Sequence, residues 1–298
     1  MIVRKQPTFK DIFFAVRGSI LPQVARRLLA IAVVCVVAIL AAMQWPGIFT
    51  RISAMPFTLI GIALSVFMSF RSNACYARWW EGRQLWGEML IATRSFAREI
   101  ALLPERDREY LLRGLCAFAG GLGARLRGND EAAAIAPWCD VGRDAHGPNP
   151  TDAVLDRIGR RCLELKRDGA IDAIHYSVLD GQLNRLAHVQ GGCERILLTP
   201  VPFSYSLLLL RTASVFCVTL PFALAGSLGW WTLLPVLLVA YTFFGLDALS
   251  HQLEDPFGPA PNALPLGAMQ RTVEREMLWL LGEEALPPPL QPVLDVLN

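Results

Sequence analysis

Charge is missing from three long stretches of this 298-residue chain: 28–50, Met55–Phe70 and the 35 residues Thr212–Leu246. Such runs exclude an ordinary soluble domain, because apolar stretches of this length need lipid or a very large core. Phosphate-cradling glycine loops are also absent, with no P-loop, G-x-G-x-x-G or G-x-S-x-G motif, so neither nucleotide chemistry nor a serine hydrolase is indicated. His175, His188 and His251 lie far apart without metal-ligand spacing, and no EF-hand loop occurs. The seven cysteines (35, 75, 116, 139, 162, 193, 217) form no C-x-x-C pair and read as reduced thiols facing the cytoplasm rather than a disulfide framework. Net charge is only +2, with basic and acidic residues interspersed, which gives no reason to expect nucleic acid. An enzyme is not expected, and no cofactor is implied.

What remains is a membrane protein with a substantial aqueous part: 53% of residues are apolar and mean hydropathy is +0.38. Residues 1–27 carry Arg4, Lys5, Lys10, Arg17, Arg26 and Arg27 against Asp11, with Phe9, Ile12, Phe13 and Val16 at helical spacing. They read as a cytoplasmic amphipathic segment, because the apolar run that follows is too long for a signal peptide and lacks a cleavage site. Residues 28–70 hold two transmembrane helices, with Trp45 and Pro46 at the far interface and the basic excess keeping the N-terminus inside. Residues 71–195 recur in charge every few positions and form a cytosolic helical domain, with 128–150 as a long loop between helices. Residues 200–250 hold two more spans, since one straight helix through Thr212–Leu246 would overshoot the bilayer; the break is at Gly226–Trp231. Residues 251–298 form a cytosolic helix, 269–284, and an extended proline-rich arm. The fold class is therefore an all-α membrane protein with four transmembrane helices and both termini cytoplasmic.

The chain is organised around the second span, which continues from Phe70 into Arg71, Arg78, Glu81 and Arg83 without a glycine or proline after Gly61 until Gly82. One helix would thus leave the lipid and proceed into water. Ile62, Val66 and Phe70 repeat every fourth residue on a face shared with Thr58, Ser65, Ser69 and Asn73. By periodicity this is either a helix-packing face rich in small residues or the lining of a narrow apolar path that gates by dewetting; packing is the commoner use. Glu254 and Asp255, followed by Pro256 and Gly258, either end a helix or offer carboxylates to a hard cation, and helix termination is the simpler account. Trp79–Trp80 with Arg78 suits an interface anchor or a contact with ions or partner helices.

Three separated motifs resemble the bestrophins, and their order and spacing fit the bacterial branch from about residue 3 to residue 285. They are Phe70-Arg71-x-Asn73-x-x-Tyr76-x-Arg78-Trp-Trp-Glu81-x-Arg83-x-x-Trp86-Gly87, then Gly191-Gly-Cys-Glu-Arg195 with Thr199-Pro-Val-Pro-Phe-x-Tyr205, and Glu254-Asp-Pro-Phe-Gly258 with Asn262-x-Leu-Pro-Leu266. The resemblance implies a homopentamer in the bacterial inner membrane, around one central pore passing small monovalent ions. It implies a neck of Ile62, Val66 and Phe70, which reverses the preference for a packing face. It also implies a cytosolic aperture at Ile174; Asp172 close to that mouth, by its charge, and Asn73, by its place past the neck, are the candidate selectivity residues. Two departures stand out. Pro259-Ala-Pro-Asn262-Ala replaces the acidic run that binds calcium in animal members, and Ala263 stands where many bacterial relatives have aspartate. Chloride or other anions are the family expectation, with monovalent cations and a non-conducting scaffold as alternatives.

Overall fold

The computed structural model describes residues 1–3, 18–49, 51, 53–140, 142 and 147–298. The amphipathic segment expected around Phe9–Val16 lies outside these residues. Among the described residues the fold is helical: α1 (Leu21–Gln44), α2 (Pro46–Phe49), α3 (Met55–Glu99), α4 (Glu105–Leu126), α5 (Glu131–Ile135), α6 (Pro150–Arg167), α7 (Ala173–Leu198), α8 (Phe203–Leu228), a 3₁₀ turn (Gly229–Thr232), α9 (Leu233–Glu254) and α10 (Leu266–Leu280). They divide into two compact units, one made of Met1–Val3, Trp79–Thr199 and Asp255–Asn298, the other of the described part of Arg4–Arg78 with Pro200–Glu254. The 45-residue α3 contributes to both, and at ~1.5 Å per residue it is about 67 Å long.

The second unit is the apolar one. Leu21–Gln44, Met55–Glu99 and the stretch Phe203–Glu254 are each long and apolar enough to cross a membrane. α1 begins at Leu21, ahead of the charge-free run, because Pro22 in its first turn suits a helix start and Arg26 and Arg27 do not interrupt backbone hydrogen bonding. The 52-residue stretch breaks at Gly229, whose φ of +52° is disfavoured for a residue with a Cβ. α8 and α9 then fold back on one another, and Phe216 meets Phe243 edge-on at 5.8 Å between ring centres. At the same end as the turn, Gly226 lies against the backbone of Phe49 so closely that a Cβ would meet its carbonyl at 2.9 Å.

At the opposite end the four long helices are joined by polar bonds. Arg71 on α3, 3% exposed, gives Nη1 to Asp247 of α9 at 2.6 Å and Nε to the Ser206 hydroxyl of α8 at 3.2 Å. Arg27 of α1 reaches the other Asp247 oxygen at 3.2 Å, and Glu254 stands 3.8 Å from Arg71 Nη2. Ser72 pairs with Ser250, and Gln252 donates to Gln23 at 3.0 Å. An arginine at the edge of an apolar bundle is costly unless its donors are met, and here two acids and a hydroxyl meet them.

The first unit is a helical domain with its own core, centred on Trp86, Phe96, Phe118 and Phe257. Polar caps set its helix starts: Asp130 accepts from Ala133 N, Asn149 from Asp152 N and Asp172 from His175 N. The cap at Asp130 explains a correction, since the 128–150 stretch expected as loop contains the short helix α5. The proline-rich end is docked rather than free: Arg271 donates to the Pro288 carbonyl at 3.1 Å, Arg275 to that of Pro287, and Ala268 N to Asn298 O at 2.8 Å. All seven cysteines are free thiols, and six of them are buried. Burial pushes Cys162 and Cys193 up to about 12 and raises Cys116 and Cys139.

Two outcomes follow from this packing. Arg71→Ala leaves Asp247 with a single half-exposed partner and should lower stability by on the order of 3 kcal/mol. Thermal unfolding in detergent reads this, with Arg71→Met/Asp247→Leu recovering much of the loss; an unchanged midpoint in Arg71→Ala would refute it. Thiols raised by burial stay protonated near neutral pH and react slowly. Maleimide at pH 7 should therefore label no more than the partly exposed Cys139 in the folded protein, and all seven thiols in denaturant.

Candidate functional site

The bundle leaves one face of α3 uncovered. Ile62, Val66 and Phe70 are 60%, 47% and 60% exposed, whereas Leu64, Met68 and Arg71, on the far side of the same turns, are buried. Asn73 is exposed on the uncovered side, one turn beyond Phe70. The small polar residues between the apolar ones do not offer free donors. Ser65 Oγ donates to the Gly61 carbonyl at 2.8 Å, Ser69 Oγ to Ser65 O at 2.9 Å and Thr58 to Ala54 O at 3.3 Å. With hydroxyl protons returned to their own helix, the face is more apolar than its composition suggests.

Ile174 and Asp172 lie in the other unit, at the start of α7. Ile174 projects from the first turn with 76% exposure. Asp172 is exposed, and its carboxylate caps the helix through His175 N at 2.7 Å. The His175 ring makes a 2.8 Å contact through Nε2 with the Glu99 carbonyl at the end of α3, which fixes the turn bearing Ile174. The neck candidates and the aperture candidates thus belong to different compact units. Glu254 and Asp255 have structural partners: Glu254 faces Arg71 and its carbonyl accepts from Arg78 Nε at 3.0 Å, while Asp255 accepts from Phe257 N at 3.3 Å in a local turn. Among the described residues no group of three or more His, Cys, Asp or Glu could hold a metal ion.

The motif residues meet as packing joints of the first unit. A Cβ on Gly82 would stand 3.0 Å from the Phe257 ring, and one on Gly192 would stand 2.9 Å from Leu85. Trp79 Nε1 donates to the Asn262 carbonyl at 2.9 Å, and Arg195 pairs with Glu81. Residues of the first motif therefore bind residues of the other two, and glycine is required where α3 meets the Phe257 loop and where it meets α7. Sequence inspection missed the cluster of Arg27, Arg71, Asp247 and Glu254, whose members come from separate helices. The one signal available was that Arg71, Arg27 and Asp247 each stand immediately next to a charge-free run.

A voltage-dependent anion channel-forming protein of Mesorhizobium japonicum is 41% identical over 301 residues, covering 98% of this chain and 95% of its own. The voltage-dependent anion channel-forming protein YneE of Escherichia coli K12 is 36% identical over 298 residues, with 98% of each chain covered. Among solved structures, a bacterial bestrophin homolog from Klebsiella pneumoniae superposes with a TM-score of 0.83 at 38% identity, covering 88% of this chain and all of that one. The family profile described as Bacterial/Fungal Bestrophin protein matches residues 1–279, and the chain belongs to that family.

Proposed function

We propose that this chain is one subunit of a passive ion channel, a homopentamer of four-span subunits whose α3 helices line a central pore for small monovalent anions. The observation that carries the reading is the uncovered apolar face of α3, at Ile62, Val66 and Phe70, in a chain whose own bundle buries the opposite side. Five copies of that face turned inward form three stacked apolar rings about one helical turn apart. Such rings dry when narrow and conduct when slightly dilated, which supplies a gate without a charged group. The names of the relatives support anions as the cargo. The joined polar ends of the four helices support up-down-up-down spans, with both termini on the cytoplasmic side of the inner membrane and the basic N-terminal segment there as well.

A second constriction is assigned to a ring of Ile174, with exposed Asp172 beside it. Five carboxylates at that mouth favour cations, and this is the observation behind a second reading, a monovalent-cation channel of the same architecture. A scaffold role loses its main support, because the proline-rich end is occupied by α10.

Replacing Ile62, Val66 and Phe70 together with alanine should raise ion flux from proteoliposomes several-fold; unchanged flux would remove the neck assignment. In a KCl gradient across a bilayer, the reversal potential should move toward the chloride equilibrium. Movement toward the potassium equilibrium, abolished by Asp172→Asn, would establish the cation reading instead.

A further inference from the structure

A cavity of about 550 Å³ opens within the apolar unit at the charged end of the bundle. One side is hydrocarbon: Val201, Phe203, Leu207 and Leu210, with Phe203 76% exposed. The other side holds Arg27, Arg71, Ser206, Asp247, His251 and Glu254. These polar groups are not equivalent. Arg71 is buried and occupied by Asp247, Ser206 and the nearby Glu254. Arg27 is 47% exposed, rests over the Phe244 ring at 5.6 Å and gives Asp247 one contact at 3.2 Å. A guanidinium carries five N–H donors, so Arg27 retains donors for an anion at the cavity's polar side.

We infer that this cavity binds a membrane phospholipid, its phosphodiester held by Arg27 and an acyl chain laid along Phe203, Leu207 and Leu210. The inference rests on the membrane reading above. Hydrogen-bond complementarity selects the phosphate, because both acids of the cavity, Asp247 and Glu254, face buried Arg71, and Arg27, with one contact to Asp247, is the cation with donors to spare. Depth selects a lipid over a free phosphate: Arg27 immediately precedes one charge-free run, and Arg71 and Asp247 immediately follow two others, so the polar side of the cavity stands at headgroup level. A free phosphate would leave Phe203, Leu207 and Leu210 in water, whereas an acyl chain covers them. His251, exposed and among the cavity's polar lining, suits contact with headgroup oxygens.

Native mass spectrometry of the purified full-length protein tests this, with palmitoyl-oleoyl phosphatidylglycerol or phosphatidylethanolamine added to the detergent and glycerophosphate as the headgroup-only probe. Wild-type protein should retain phospholipid and not glycerophosphate. Arg27→Gln should reduce retention of phosphatidylglycerol roughly fivefold, while Arg26→Gln, which removes the same charge from a residue outside the cavity, should not. Phe203→Ser should also reduce retention, and it carries the comparison if Arg27→Gln does not purify. Equal retention in the Arg27→Gln and Arg26→Gln proteins, glycerophosphate bound as well as lipid, or no lipid on the wild type would each overturn the proposal. Lipid counting needs no current, so a silent channel that retains lipid refutes the conduction reading alone, and a conducting one without lipid refutes only the lipid site.

Discussion

The contact between Arg71 and Asp247 is the constraint on which the apolar bundle depends. Three long helices contribute to it directly through Arg71, Ser206 and Asp247, and the fourth joins through Arg27. Hydrophobic burial has no direction, and in a bilayer it does little to choose between helix registers, since lipid tails are as apolar as leucine. A buried guanidinium is directional and intolerant of a missing partner. One such group at the end of the bundle therefore sets the depth of each helix relative to the others. Gly226 against Phe49 and the turn at Gly229 set the other end by close approach.

With its ends held, α3 is packed on one side only. Leu64, Met68, Arg71 and Cys75 face the bundle, and Ile62, Val66 and Phe70 are left outside it. The inward return of the Ser65 and Ser69 hydroxyl protons makes that outer face poor at attracting water or ions. A conducting path built from it depends on width rather than on fixed charge. Fixed charge near the other candidate residues lies elsewhere, at exposed Asp172 beside Ile174. α3 contributes residues to both units, and its sequence holds no proline after Pro56 and no glycine between Gly61 and Gly82.

The glycine-bearing motifs gain a physical account from their joints. Gly82 admits Phe257, Gly192 admits Leu85, and Trp79 reaches the carbonyl of Asn262. These positions lie far apart along the chain and meet in one small core. A side chain at Gly82 would press helix α3 away from the loop bearing Phe257, and one at Gly192 would press α7 away from α3, in a core where neighbours fill the space closely.

The sequence by itself determined the helical class, the apolar stretches, the unbroken second span and the family, because each depends on local periodicity, on length or on residues in a fixed order. The four-residue spacing of Ile62, Val66 and Phe70 was likewise legible, since it is a property of a single helix. Which side of that helix the bundle buries was not, because a packing face and an uncovered face share one periodicity. Only the tertiary structure decided that Arg71 and Asp247 meet, that residues 255–298 join 79–199 in one compact unit, and that the proline-rich end is bound. Those outcomes depend on contacts between residues more than 15 positions apart, and nothing in a local pattern encodes which distant partner a side chain will reach.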